Sequence, residues 1–374
     1  RIHYLLILID STCPLKFHFY YVSQHTFRFF YDLISVLGDV SPTDLGRTLP
    51  HEHLGMKFDH FYRKPPTCYA DQFGTHALNM HNLGYIRQYP YSSHNNLDLN
   101  DGDAYNAVEN DLVAYRTIVE NSTYGLDRNV NRYVKLSTNT GVRIVAGTGF
   151  YISDMQSADH LYLDKEDIYD LMLKELIEGC LDIPNVKAGF LGEIASVWPI
   201  TDFERKVISA VGELQAQLGC GVSFHPHRDP AAPFEIMRLY AEAGGRLDKA
   251  VMSHLDRTFV DVEKLKEFAE LGSYCQFDLF GTEVSYYQLS ATTDMPSDAQ
   301  RLGLMRALLD EGKADRLLMS HDIHTKHRLM DYGGHGYSHI INNILPRMTQ
   351  KGFSKQVIDE ITVTNPANWL AIPA

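Results

Sequence analysis

From Val36 onward, short β-prone runs alternate with longer stretches whose apolar residues recur at helical spacing. Eight such runs stand out: Thr48 to His53, Arg116 to Ser122, Val142 to Tyr151, Ala188 to Ala195, Gly221 to Pro226, Ala250 to Asp256, Tyr274 to Leu279, and Arg316 to Ile323. Between them lie amphipathic stretches, Asp164 to Gly179, Thr201 to Leu218, Phe234 to Ala243, Val262 to Leu271 and Asp298 to Glu311. Strands that alternate with helices form βα units around a parallel sheet. Eight of them predict a closed (β/α)8 TIM barrel rather than a doubly wound open sheet. Lys355 to Leu370 reads as a closing helix.

Two regions depart from this rhythm. About sixty residues separate the first predicted strand from the second, and they are rich in Tyr, His and Asn, including Tyr85, Tyr89, Tyr91, His94, Asn95 and Asn96. Connections of that length are functional or carry helices of their own, so a partly helical cap near the barrel mouth is expected. Residues 1–34, rich in Phe and Tyr without clear periodicity, read as an N-terminal extension apart from a single barrel domain over 35–374. Its apolar start is too short to span a bilayer, is broken at Asp10 and lacks a convincing cleavage site for secretion.

Composition narrows the function. With 44% hydrophobic and 22% charged residues the chain is an ordinary globular protein, neither disordered nor fibrous. A formal charge of −13 repels phosphate backbones and anionic lipid, which excludes nucleic acid and membrane surfaces as partners. Five cysteines (Cys13, Cys68, Cys180, Cys220, Cys275) are scattered without a CxxC pair, which fits a reducing cytosol. Cys220 and Cys275 read as small core residues. The chain has no G-x-S-x-G elbow, no phosphate-binding G-x-x-x-x-G-K loop and no G-x-G-x-x-G after a strand. Gly147-Thr148-Gly149 reads as a tight turn out of the third strand, with Tyr151 leaning toward the mouth.

The chemistry gathers at strand ends, where barrel enzymes place their active sites. His51 and His53 are two apart on a strand, so both face one way while Glu52 faces elsewhere. Glu193 lies on the fourth predicted strand, His225 ends the fifth, His254 lies on the sixth and Asp322 on the eighth. Four imidazoles and two carboxylates suit zinc, or manganese, cobalt or iron. Six ligands exceed one tetrahedral ion with an open position, so the expected arrangement is two divalent ions: His51, His53 and Asp322 on one, His225 and His254 on the other, and Glu193 bridging. His227 and His321 sit beside chosen ligands, and strand parity turns His321 away from the pore if Asp322 faces in.

The segments Gly46 to Leu54 and Val186 to Thr201, the His225 and His254 strand ends, and Asp322 resemble the phosphotriesterase family of the amidohydrolase superfamily, over roughly residues 36–370. The similarity is to an animal branch of that family, through Ser253 to Thr258, Phe277 to Glu283 and His321 to Lys326. The resemblance implies a binuclear metal site in a barrel, with its ligands falling on the same six positions. Two departures stand out. Where phosphotriesterases proper bridge the ions with a carboxylated lysine this chain has Glu193, which keeps one negative charge there without CO2-dependent assembly, and Ala195 stands where this branch has Gly.

Water held between two divalent ions has its pKa lowered toward about 7, which makes a nucleophile at neutral pH, and Asp322 is the expected general base and proton shuttle. Substrate choice belongs to the loops. Arg257, Tyr151 and Glu283 are candidate substrate contacts, Arg257 for an anionic group and the other two for an amide or polar group. Lys326 and Arg328 are expected as solvated surface cations, with positive charge at the mouth as the alternative. The resemblance implies hydrolysis of N-acylated small acids, N-acetyltaurine above all, to acetate and taurine. The alternatives are a lactonase or phosphotriesterase with the same metal centre, and a non-catalytic metal-binding barrel.

Overall fold

A hairpin of β1 (Leu33–Ser35) and β2 (Gly38–Val40) precedes eight strands that run parallel and pair in strict chain order. These are β3 (Thr48–Glu52), β4 (Thr117–Glu120), β5 (Arg143–Thr148), β6 (Phe190–Ala195), β7 (Val222–His225), β8 (Ala250–Met252), β9 (Tyr274–Phe277) and β10 (Leu317–Met319). The last meets the first: the Asp322 amide donates to the His51 carbonyl at 3.2 Å, and Ser320 Oγ accepts from the His51 amide at 3.2 Å. The architecture is the (β/α)8 TIM barrel that the alternating pattern predicts. This computed structural model describes residues 33–65, 73–284 and 287–372. Of the expected N-terminal extension only Leu33 and Ile34 fall within it, and Cys13 and Cys68 lie outside the described residues.

The barrel interior changes character along its axis. Side chains on one face of a strand recur every second residue, and on three strands that row runs from apolar to polar toward the mouth: Val251 to Ser253, Tyr274 through Gln276 to Asp278, and Leu318 through Ser320 to Asp322. At the bottom, Val119, Val145, Phe190, Val251, Tyr274 and Leu318, from six different strands, form one apolar cluster with Leu33, Leu45, Trp369 and Leu370. Trp369 closes it edge-on against Phe190, with ring centroids 5.5 Å apart, and its Nε1 donates to the Val222 carbonyl. A Cβ at Gly221 would come within 2.7 Å of that indole nitrogen, so only glycine lets Trp369 seat there.

A larger apolar cluster lies between the strands and the surrounding helices. The helices start where their sequences supply caps. Thr201 and Glu204 form a reciprocal capping box at the start of Asp202–Leu218, and Ser297 and Gln300 do the same for Asp298–Asp310. The closing segment is helical from Lys355 to Leu370, with a π turn at Glu360–Thr364 ahead of Pro366. Among the described residues no helix is long and apolar enough to cross a membrane.

Two predicted strands end early, and the reason bears on the site. His254 (φ 57°) and Asp322 (φ 53°) adopt the left-handed conformation just beyond β8 and β10, which stops each strand and re-aims its side chain. The long connection after β3 is the expected partly helical cap, with helices Leu83–Gln88 and Gly102–Asp111 and several single turns.

Candidate metal centre

All six predicted ligands converge at the C-terminal rim of the barrel. Their ligand atoms fall into overlapping groups, each within 4.8 Å: His51, His53 and Glu193; Glu193, His225 and His254; His51, His254 and Asp322. Glu193 belongs to the first two. One of its oxygens lies 3.5 Å from His53 Nε2, and the other lies 3.5 Å from His51 Nε2 and 2.8 Å from His225 Nδ1. Asp322 Oδ1 is 3.2 Å from His53 Nε2 and 3.8 Å from His51 Nε2. His254 Nε2 is 2.9 Å from His225 Nδ1. Gly192 (φ 149°) precedes the central carboxylate, and a Cβ there would meet the Ser223 Cβ at 2.8 Å.

Each imidazole is oriented by a partner on its other nitrogen, as metal-ligating histidines are. His254 Nδ1 donates to Asp278 Oδ1 at 2.7 Å, and the same carboxylate accepts the His254 amide. His51 Nδ1 lies 3.1 Å from Ser253 Oγ, beside Gln276. His53 Nδ1 donates to Ser122 Oγ at 2.9 Å, whose own proton goes to Glu120 Oε1 at 2.7 Å. His225 differs: its Nε2 faces the Tyr151 hydroxyl and Arg257 Nη2, each at 3.4 Å.

The donor set fits a pair of divalent cations. His51 Nε2 is buried without a hydrogen-bond partner, an orphan lone pair that a cation satisfies. Burial lowers His51 to about 4 and holds His225 and His254 below the ordinary histidine value, which keeps all three neutral as ligation requires. Burial also works to lower His53, but its hydrogen bond to Asp322 and the charges of Glu193, Asp322 and Glu120 outweigh it and raise the group to about 9. Surroundings that hold a proton this strongly hold a divalent cation for the same reason.

Above the rim opens a cavity of about 320 Å³. Its walls include Tyr151, Arg257 and Glu283, and the cap contributes Phe58, Arg87, Pro90 and Tyr91. Tyr151 and Arg257 are buried, while Glu283 sits exposed at the edge, where its carboxylate accepts the Asp298 amide at 2.7 Å. Lys326 and Arg328 contradict the expectation of solvated cations, because both are buried. Lys326 pairs with Asp101 of the cap, and Arg328 donates to the carbonyls of Phe280, His321 and Asp322, bracing the loop that carries the last predicted ligand. His321 turns away from the pore, as strand parity requires, and pairs with Glu52 at 2.8 Å. His227 accepts the Asp229 amide and is absent from the ligand groups.

Sequence reasoning missed two residues. Asp278, which orients His254, follows β9 on the same face as Gln276, so a polar strand end was its available signal. Arg228, three residues past His225, lines the cavity and donates to the Tyr287 hydroxyl at 2.7 Å, and nothing local in the sequence marks it.

A closed parallel barrel with a histidine and carboxylate cradle at its C-terminal rim defines a metal-dependent hydrolase. The chain belongs to the phosphotriesterase family, whose model matches residues 31–370. The phosphotriesterase-related protein of Drosophila sechellia is 55% identical over 343 residues, which cover 90% of this chain and 98% of the relative. The fold is similar to that of a resiniferatoxin-binding protein from Rhodobacter sphaeroides, with a TM-score of 0.86 and 27% identity over 91% of this chain and 94% of the other. It is also similar in fold to the phosphotriesterase homology protein of Escherichia coli, solved with phosphate in its active site, with a TM-score of 0.71 and 24% identity over 87% and 99% of the two chains.

Proposed function

We propose that this hydrolase cleaves the amide bond of small anionic N-acyl compounds, N-acetyltaurine foremost, releasing acetate and the free amine. The observation that carries this reading is the position of Arg257, a buried cation facing the same His225 ring whose other edge meets Glu193. A substrate whose carbonyl sits at the cradle then has a positive charge waiting on its amine side. Two bound zinc ions, held by His51, His53, Glu193, His225, His254 and Asp322, would supply an acidified water and a Lewis acid for the carbonyl.

The chain's own residues do the rest. Asp322, whose burial is outweighed by His324, His53 and His254 so that its carboxyl lies well below the ordinary range, is ionised and accepts the proton released in the attack. It then delivers that proton to the departing amine nitrogen, which a poor leaving group needs. The Tyr151 hydroxyl, which burial keeps protonated, offers a donor beside the cradle for the acyl oxygen. Phe58 and Tyr91, buried in the cap, exclude water from the reacting bond.

The test is hydrolysis by metal-loaded protein of N-acetyltaurine, a lactone panel and paraoxon, with and without chelator. Turnover of N-acetyltaurine that chelation abolishes supports the reading. Turnover of a lactone or of paraoxon with silence on the amide overturns it, and a chelator that lowers only thermal stability points to a non-catalytic barrel. Asp322→Asn is expected to retain most bound metal while kcat falls on the order of 10³-fold, and an active Asn variant removes Asp322 from the proton's path.

A further inference from the structure

Two arginines elsewhere in this molecule show how a guanidinium taken out of water is neutralised by carboxylates. Arg128 makes a two-pronged ion pair with Glu175, at 2.7 and 2.6 Å, and Arg301 reaches Asp256 and Asp298 at 2.7 and 2.8 Å. Among the described residues Arg228 and Arg257 have no such partner; nor do Arg132, which lies away from the cavity, and Arg328, whose donors are taken by the Phe280, His321 and Asp322 carbonyls. Arg228 donates to the Tyr287 hydroxyl, and Arg257 to the Pro226 carbonyl at 3.2 Å. Arg228 Nε and Arg257 Nη1 are buried with no hydrogen-bond partner at all. Leaving charged donors buried and unpaired is costly, and both line the one cavity that contains the metal cradle.

Among the described residues the groups facing Arg228 are phenols, and Asp278, a carboxylate that acts on Arg257, is already taken up by His254 and Gln276. Tyr91, Tyr151 and Tyr287 surround Arg228, and burial keeps Tyr91 and Tyr151 protonated. The Arg228 guanidinium lies over the Tyr287 ring, 5.5 Å from its centroid, which fixes its plane. Each guanidinium also works against the other's charge, so two like charges are held together in a pocket that an anion would relieve.

We propose that Arg228 and Arg257 form a two-guanidinium receptor for a single oxyanion of the substrate, with Arg228 as a specificity-determining residue. This rests on the hydrolase reading of the same cavity and adds a length rule. One imidazole ring, that of His225, separates Arg257 from the nitrogen facing Glu193, so the anion must stand a short linker from the scissile amide. A sulfonate and a carboxylate share the chemistry this receptor reads.

The experiment uses metal-loaded full chain, N-acetyl aminoalkanesulfonates with one to five linker carbons, the matching carboxylates, and neutral N-acetylethylamine. The preference for the anionic over the neutral amide is expected to peak at two or three carbons. In Arg228→Gln that preference falls about 10- to 100-fold, carried by KM, and Arg228→Lys restores part of it. Ethanesulfonate binding, followed by calorimetry without turnover, is expected to weaken by a similar factor in Arg228→Gln, with two metals per chain retained. An unchanged preference together with unchanged ethanesulfonate affinity overturns the receptor while leaving amide hydrolysis standing. Arginine-dependent ethanesulfonate binding in a protein that cleaves no amide overturns the amide reading and keeps the receptor. A flat linker profile overturns the length rule, and sulfonates and carboxylates compared at equal length show which anion the pair prefers.

Discussion

The two ends of the barrel are built from the same strands to opposite purposes. At the bottom, β8 and β10 contribute Val251 and Leu318 to an apolar plug sealed by Trp369. Two to four residues further on, the same strands deliver Ser253, His254, Ser320 and Asp322 to a rim of charged and neutral donors. The plug is held by burial and close packing, which tolerate no gap. The rim is held by directional contacts, and it includes two residues in left-handed backbone, a conformation that costs about 1–3 kcal/mol apiece and persists only where the surroundings impose it. Stability is concentrated below and strain above.

That contrast can be broken at several places. Glu193→Gln removes the charge shared by both ligand groups: metal content is expected to fall below two per chain by elemental analysis, and hydrolysis to drop on the order of 10³-fold or more, with the fold retained. A variant that keeps two ions and full rate denies Glu193 its bridging place. Trp369→Ala reverses the pattern, lowering the free energy of unfolding by about 3–5 kcal/mol in a urea titration. The folded fraction should bind metal normally, and a loss of metal there would mean that the two ends are not separable.

Asp278→Asn acts at intermediate strength. It leaves every ligand in place but weakens the acceptor that orients His254, so metal affinity in competition with a chelator is expected to fall about 10- to 100-fold. The smallest effect falls on the support outside the rim. Burial pushes the Asp298 carboxyl up, yet the His339 hydrogen bond, Arg301 and the Gly281 amide outweigh it and hold it at about 2. Its folded-state value lies below its unfolded one, so its contribution is full above about pH 4 and is lost as pH falls toward 2. Asp298→Asn should therefore cost about 2 kcal/mol at pH 7, and the gap to the parent should close below pH 4. A gap that stays constant down to pH 2 would show that the carboxylate's charge does not carry the contact.

What could be read in the sequence follows from what is local. Strand ends, period-two parity and residue type sufficed to bring His51, His53, Glu193, His225, His254 and Asp322 together, because in a parallel barrel every C-terminal strand end faces one rim. The same rule turned His321 away. It did not foresee that Lys326 is buried, because its partner Asp101 lies 225 residues earlier, in the cap. Nor did it find Arg228, since a missing counter-ion is a property of the assembled pocket and not of the segment around His225. The left-handed turns at His254 and Asp322 escaped for a related reason: propensity favours continuing both strands, and tertiary hydrogen bonds to Asp278 and His51 override it.

His225 presents one edge to Glu193 and His254 and the other to Tyr151 and Arg257. Reshaping the pocket at either of those neighbours therefore also disturbs a predicted ligand, so diversification at Tyr151 or Arg257 is expected to carry a penalty in cation retention. Residues that touch no imidazole of the cradle, such as Glu283 at the outer edge, are free of that coupling. Directed evolution of this scaffold toward unfamiliar amides should accumulate its successful changes along that outer margin first.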